Sequence, residues 1–598
     1  MTRFLSSLLV ASSLLSSALG VILTDATTIA KDYDFVVIGA GTAGNVIANR
    51  LTENPNWKVL VVEAGISNEG LYLVSTPFFG PQASPNKAWT WNYTTVPQTA
   101  CLNRTMNYQR GKLLGGTSSI NYMIYTRGSH DYWDNIANYT GNPTWNWTNI
   151  EPYYIKAENW TEPADHHNTT GQFDPSVHGF SGPLSVSLPG SPNELSTRIF
   201  NTTLELPDTY PFLEDVGAGN GIGLGWMQAT IDVDVRASSA QAYLAPKFIA
   251  RPNLDVLIEQ QVTKILFTKN SKGLPHASGI EFSAGPNQRK FTVSPSKEVI
   301  LSGGSIGSPH LLMLSGVGDA GELLEQNIDI VFNNPQVGKN LVDHPALANH
   351  WIANSTQTLD IYRENATDLT LAEQQYNTTG TGTLVDNVSP AIGFFRIPAN
   401  ESLFEQFTDL TSGPNAGHYE FLWRDGWGSF LPVPAPTVGF FTTITQVMLA
   451  PASRGSVTLV SPDPFTFPKV DPGFLTNEYD VQTARYAIKS ARAFMNATAW
   501  DGYNLGLAFD DAAFQTDEEL DLFIRNNTAP IYHPTGTNRM ESSAKDDGVV
   551  DSFLQVKGVT GLRVVDTSVF PFIIEGHPEA PTYALAERAA DVIKSAWQ

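Results

Sequence analysis

Three glycines open the chemistry of this chain. Gly39, Gly41 and Gly44 stand in the run Gly-Ala-Gly-Thr-Ala-Gly, with Thr42 and Ala43 between the last two. Gly39 permits a tight turn, Gly41 lets the backbone approach a pyrophosphate, and Gly44 lets a following helix pack closely on the preceding strand. The free N–H groups and positive dipole end of that helix then face the phosphates. Glu63 follows nineteen residues after Gly44 (63 − 44). Its carboxylate can accept hydrogen bonds from ribose hydroxyls, which favours FAD or NAD over NADP. A second pair, Gly115-Gly116, precedes Thr117, Ser118 and Ser119. It makes another loop of exposed N–H donors, for which a nicotinamide dehydrogenase has no use at this point in the chain. Two histidines, His533 in Tyr-His-Pro and His577 in Gly-His-Pro, lie 44 residues apart (577 − 533). Neutral imidazole is available near neutral pH to take a proton. Taken alone, each is either such a base or an ordinary hydrogen-bonded histidine, and only the fold can join them.

The elements that must position these groups are partly legible. Residues 34–38 are a buried-strand run and 45–52 read as a helix with Val46, Ile47 and Leu51 on its apolar face. Residues 58–62 are a second strand, ending at Glu63. This is a βαβ unit, the opening of a doubly wound α/β domain. Residues 66–105 and 140–195 are loop-rich, strand-like alternation appears at 253–268 and 279–300, and 580–596 reads as a helix. Aromatic and β-branched residues across 350–460 suggest an antiparallel sheet.

Composition narrows the class. The chain has 598 residues, 42% hydrophobic and 16% charged, which suits a globular protein of two lobes. A net charge of −23 disfavours nucleic acid and anionic membrane as partners. Residues 1–20 read as a signal peptide, with Arg3, an apolar stretch interrupted by serines, and a small-residue end at Ala18-Leu19-Gly20. N-glycosylation sequons begin at Asn92, Asn103, Asn138, Asn146, Asn159, Asn168, Asn354, Asn377 and Asn496, among others. These predict a secreted, extracellular, N-glycosylated protein, and we expect a monomer. The single cysteine, Cys101, excludes an intrachain disulfide and Cys-based metal sites. Of the 11 histidines, the nine other than His533 and His577 show no metal-ligand spacing with one another, so no metal is expected.

Longer motifs carry a resemblance. Residues 111–134, 304–318, 337–345 and 564–568 are similar, in family order, to the signatures and landmarks of the glucose–methanol–choline (GMC) oxidoreductases. The pattern looks most like fungal aryl-alcohol oxidases and their pyranose dehydrogenase relatives. The resemblance implies an α/β protein (α+β overall): a Rossmann-like FAD-binding lobe plus an antiparallel-sheet substrate-binding lobe with helices. We assign 31–70, 106–140, 200–345 and 545–598 to the first lobe, and 71–105, 141–199 and 346–544, with lid loops, to the second.

The same resemblance implies roles. FAD's adenine end should sit near Glu63 and Val262, its pyrophosphate over Gly39, Gly41, Thr42, Ala43 and Gly44, and its isoalloxazine near Thr117, Ser118 and Asn121. Asp566 should lie near the ribityl and pyrophosphate region, and Pro578 beside the ring. His533 is implied as the base that takes the hydroxyl proton while hydride leaves for the flavin. His577 is implied as the partner of the alcohol oxygen. Tyr122, Tyr532, Trp423, Trp427 and Phe430 are candidates for the substrate pocket, and His344, inside a landmark, reads as structural. Some relatives tether FAD through a histidine where this chain has Ile120, so non-covalent FAD is expected. Asn121 and Tyr532 depart from the His and Phe of aryl-alcohol oxidases. The expected reaction is oxidation of a primary aromatic or conjugated alcohol to the aldehyde, with O2 reduced to H2O2. The alternatives are a pyranose or glucose dehydrogenase using quinone acceptors, and a non-redox GMC flavoprotein such as a hydroxynitrile lyase.

Overall fold

The computed structural model describes residues 21–431, 434–508 and 514–598. The expected signal peptide, 1–20, lies outside these residues. The first lobe is built on a six-stranded parallel sheet. Its order is Ile22–Leu23, Leu254–Leu257, Val59–Val62, Phe35–Ile38, Glu298–Leu301 and Leu562–Val564. Every residue of Phe35–Ile38, Val59–Val62 and Glu298–Leu301 is buried. That is why the first two read as unbroken apolar runs: a parallel sheet is covered on both faces. The helices Thr42–Leu51 and Glu579–Trp597 pack against each other beside this sheet. The antiparallel strands Gln261–Lys269, Pro275–Ser283 and Lys290–Val293 join the same core. The first helix starts at Thr42, three residues earlier than its apolar pattern, because the glycine turn feeds directly into it.

The second lobe is an antiparallel sheet. Its main path runs Asn504–Leu507, Pro345–Ala353, Phe441–Met448, Tyr419–Arg424, Ala391–Phe395 and Gly223–Trp226. The helix Glu478–Met495 packs on it. Strand Tyr419–Arg424 alternates with period two. Tyr419, Phe421 and Trp423 enter the core beneath that helix, whereas Leu422 enters a separate cluster with Tyr122 and Phe430 at the edge of the cleft between the lobes.

The lobe boundaries differ from those expected. Gly223–Trp226 and Tyr210, expected in the first lobe, belong to the second lobe's sheet and core, beside Leu195 and Ile199, which were expected there. Conversely, Trp147–Ala157 and Leu184–Val186 pack into the first lobe. Gly455–Thr458 and Lys469–Asp471 complete a sheet with Lys339–Leu341. These exchanges follow from tertiary packing, such as Trp147–Ala157 against the helix Glu579–Trp597, which composition does not encode.

Candidate active site

A long cleft runs along the first lobe and reaches the second lobe's sheet at Leu422. At one end it is lined by Glu63 and Val262, in the middle by Gly39, Gly41, Thr42, Ala43 and Gly116, and at the far end by His533, His577 and Pro578. The glycines are there for space. At Gly39 φ is +97°, and a Cβ would lie 2.6 Å from Ser302 O. A Cβ on Gly44 would meet Gly39 O at 2.0 Å, so this residue sets the helix–strand approach rather than lining the cleft. A Cβ on Gly116 would reach Gly41 Cα at 2.8 Å, so the two glycine loops touch back to back. Glu63 is fixed by the N–H groups of Ala40 and Gly65, at 2.8 and 2.7 Å, and burial raises its pKa. Asp566 accepts from Ser308 Oγ at 2.5 Å and from the N–H groups of Gly304 and Ser568 at 2.9 Å, at the start of the helix Gly304–Leu314.

The two histidines, 44 residues apart in sequence (577 − 533), meet at the inner end. Their ring centroids lie 4.6 Å apart at 76°. His533 rides on a loop pinned twice. Its N–H donates to Asp343 Oδ1 at 2.7 Å, and Arg110 Nη1 donates to Tyr532 O at 2.8 Å. Tyr532 itself has φ +67°, the left-handed region that a bulky residue occupies only when its surroundings over-determine it. Asp343 also accepts from Tyr108 Oη at 2.5 Å and from His344 N at 2.8 Å, and burial pushes its pKa to about 7.

The hydrogen bonds dictate which ring nitrogen is free. His344 Nε2 lies 3.0 Å from Leu449 O. A carbonyl only accepts, so Nε2 carries the hydrogen. Burial pushes the His344 pKa down to about 3, so the ring is neutral and its Nδ1 is an acceptor. His533 Nδ1 lies 3.0 Å from that atom and must donate to it. The Nε2 of His533 is therefore left unprotonated. Burial, then the neighbouring His577, His344 and Arg110, hold the His533 pKa well below the histidine range. His577 Nε2 lies 3.0 Å from Glu420 Oε1, and its N–H donates to Thr126 Oγ1 at 2.9 Å. Glu420 accepts the Nε2 hydrogen and so holds the His577 ring beside His533.

One family model, described as GMC oxidoreductase, matches residues 33–346, and a second of the same description matches 451–586. The chain belongs to the GMC oxidoreductase family. It is 36% identical to a pyranose dehydrogenase of Agaricus campestris over 584 residues, an alignment that covers 95% of this chain and 94% of the relative. It also resembles an FAD-dependent oxidoreductase from Chaetomium thermophilum (TM-score 0.83, 29% identity, 94% of this chain and 99% of that one). A fungal aryl-alcohol oxidase structure superposes with a TM-score of 0.82 at 25% identity, covering 95% of this chain and all of that one, 100%. The protein is accordingly an FAD-dependent enzyme acting on CH–OH groups.

GMC membership names FAD, and the cleft fits it. The paired glycine loops leave a backbone cradle, the first turn of Thr42–Leu51 opens onto it, and Ser302 Oγ is buried there with no hydrogen-bond partner among the described residues. Thr117, Ser118 and Asn121 line the segment between the cradle and the histidines. Ile120 is buried and its side chain has no nucleophilic atom. Acid precipitation should therefore release all the yellow colour into the supernatant; colour held in the pellet would disprove a dissociable cofactor.

Among the candidate substrate residues, Tyr122, Phe430 and Tyr532 line the inner cleft. Trp423 does not. It points to the opposite face of its strand and is 0% exposed in the second lobe's core. Trp427 is also outside the cleft lining; its ring stacks on His350 at 3.7 Å. Both were expected in the substrate pocket; strand facing takes Trp423 away from it, and Trp427 lies beyond the end of the strand Tyr419–Arg424. Reading His344 as merely structural missed its contact with His533, and Glu420 went unnoticed inside an aromatic stretch. Its signal was present: a carboxylate amid the aromatic and apolar run Tyr-Glu-Phe-Leu-Trp.

Proposed function

We propose that this GMC enzyme oxidises a primary alcohol bearing an aromatic or conjugated group to its aldehyde, with O2 reduced to H2O2. The observation that carries the substrate reading is the wall facing the histidines. Tyr122 and Phe430 stack at 5.9 Å and 19°, Phe430 meets Tyr532 at 6.3 Å and 68°, and Ile124, Leu422 and Ile531 complete an apolar surface. A flat ring gains from such a wall, whereas a sugar would have to strip its hydroxyls of water. His577 orients the alcohol oxygen, and His533 Nε2 takes its proton. The flavin, when bound, supplies the hydride acceptor.

The second reading is a sugar dehydrogenase passing electrons to a quinone. It is favoured by the 36% identity to a pyranose dehydrogenase and by the Tyr532 hydroxyl at the cleft. The test is kcat/KM for a benzylic alcohol and for glucose, each with O2 and with a quinone. Preference for glucose would select the dehydrogenase. Preference for the benzylic alcohol with negligible O2 turnover would retain the substrate and discard the oxidase. Secretion and glycosylation belong to the same proposal. Asn103, Asn138, Asn168, Asn354, Asn377 and Asn496 are exposed, whereas Asn92, Asn146 and Asn159 are half-buried. Endoglycosidase treatment of secreted protein should lower its apparent mass.

A further inference from the structure

Glu579 is a buried carboxyl that the alcohol chemistry above does not use. It is the first residue of the helix Glu579–Trp597, directly after Pro578, and lines the cleft beside Asn121. Its Oε2 accepts from Asn121 Nδ2 at 2.8 Å and from Thr230 Oγ1 at 3.5 Å. Its Oε1 is buried without a hydrogen-bond partner among the described residues. The Asn121 amide is held in one orientation, because its Oδ1 accepts from Arg236 Nη1 at 2.8 Å and from Met123 N at 3.1 Å. Arg236 is itself 1% exposed and anchored on the carbonyls of Val74 and Ser118. A buried cation and a buried carboxyl thus flank one amide, at the segment of the cleft between the glycine cradle and the histidines.

An unpaired, desolvated carboxylate oxygen is costly, whereas a neutral carboxyl has an O–H to donate. Burial raises the Glu579 pKa to about 7, against the lowering effects of Asn121, Arg236, Thr230 and the Tyr583 hydroxyl. The charged and titratable groups around it are Arg236, Tyr583 of its own helix and His577 of the preceding loop. Negative charge beside a bound electron acceptor opposes its reduction. We propose that Glu579 is a redox-positioning residue for the flavin: protonated, it donates its O–H into the cleft, and ionised, it lowers the cofactor's reduction potential. The inference rests on FAD binding and is independent of which alcohol is oxidised.

The test is spectroelectrochemical titration of the holoenzyme's flavin from about pH 6 to about pH 8.5, bracketing the Glu579 ionisation. Above its pKa the wild-type carboxyl is ionised, so Glu579→Gln should show the higher potential there. The gap should close as pH falls and the wild-type carboxyl becomes neutral. Equal potentials at every pH, or a constant offset, would overturn the proposal. A carboxyl acting only as a favourable charge at a helix N-terminus would change stability and leave this pH dependence unmoved. If Glu579→Gln does not retain flavin, Glu579→Asp provides the second measurement. Its potential must keep an extra pH-dependent step, displaced from that of the wild type; loss of the step in a flavin-loaded Glu579→Asp would equally overturn the proposal.

Discussion

Anaerobic flavin reduction by an alcohol should slow by roughly 10²- to 10⁴-fold in His533→Ala, the range general base catalysis supplies. FAD should remain bound, because the glycine loops, Glu63 and Asp566 are untouched by the change. His533 is the cleft histidine whose Nε2 is left free by the hydrogen bond of its Nδ1 to His344. Stopped-flow reduction separates this step from reoxidation, and a wild-type reduction rate in His533→Ala would refute the mechanism. The sign of the pH dependence follows from the same environment. The His533 pKa is depressed, so the base is already neutral at pH 7 and stays so on acidification past the usual histidine value. Wild-type reduction should therefore not decline between pH 7 and about pH 6, where an unperturbed histidine would begin to be protonated. His577→Ala should also be severely slowed, because the alcohol oxygen loses its partner and Glu420 is left with a buried, unpaired carboxyl oxygen.

His344→Leu should lower kcat by about 10- to 10²-fold while changing KM much less. The His344 acceptor does two things. It selects the His533 tautomer with a free Nε2, and it receives a hydrogen bond that strengthens when His533 gains the substrate proton. Hydrogen bonds to charged groups contribute about 1.5–3 kcal/mol, and each 1.36 kcal/mol is about tenfold in rate. His344→Asn presents an amide oxygen near the lost Nδ1 and should recover part of the rate. A purely structural His344 would make the two variants equally stable or equally damaged, with no kcat recovery in Asn over Leu. Flavin content and thermal unfolding of both variants identify such damage directly.

Much of the cofactor side was legible because it is local. The turn at Gly39, Gly41 and Gly44, the helix after it and Glu63 lie within one βαβ unit, so spacing alone prescribes their geometry. The burial of Phe35–Ile38 and Val59–Val62 was likewise written in their unbroken apolar runs. The terminal helix, expected at 580–596, is Glu579–Trp597. Family motifs carried the assignment further, to His533 and His577, where no local pattern connects the two.

The catalytic surroundings were decided by the tertiary structure. His344 and His533 are 189 residues apart, and Glu420 and His577 are 157 apart. Such pairs depend on how the second lobe's sheet docks over the first, which no residue spacing encodes. Facing was decided in the same way. The aromatic stretch at 419–423 announces a buried strand, but pairing and docking determine which alternate side chains meet the helix Glu478–Met495 and which meet the cleft. Trp423 went to the core, and Glu420, one strand face away, went to His577. The sequence by itself determined a dinucleotide cradle and the residue types available for proton transfer. Only the fold decided which nitrogen of His533 is free, because that depends on Leu449 O fixing a proton on His344, two hydrogen bonds away.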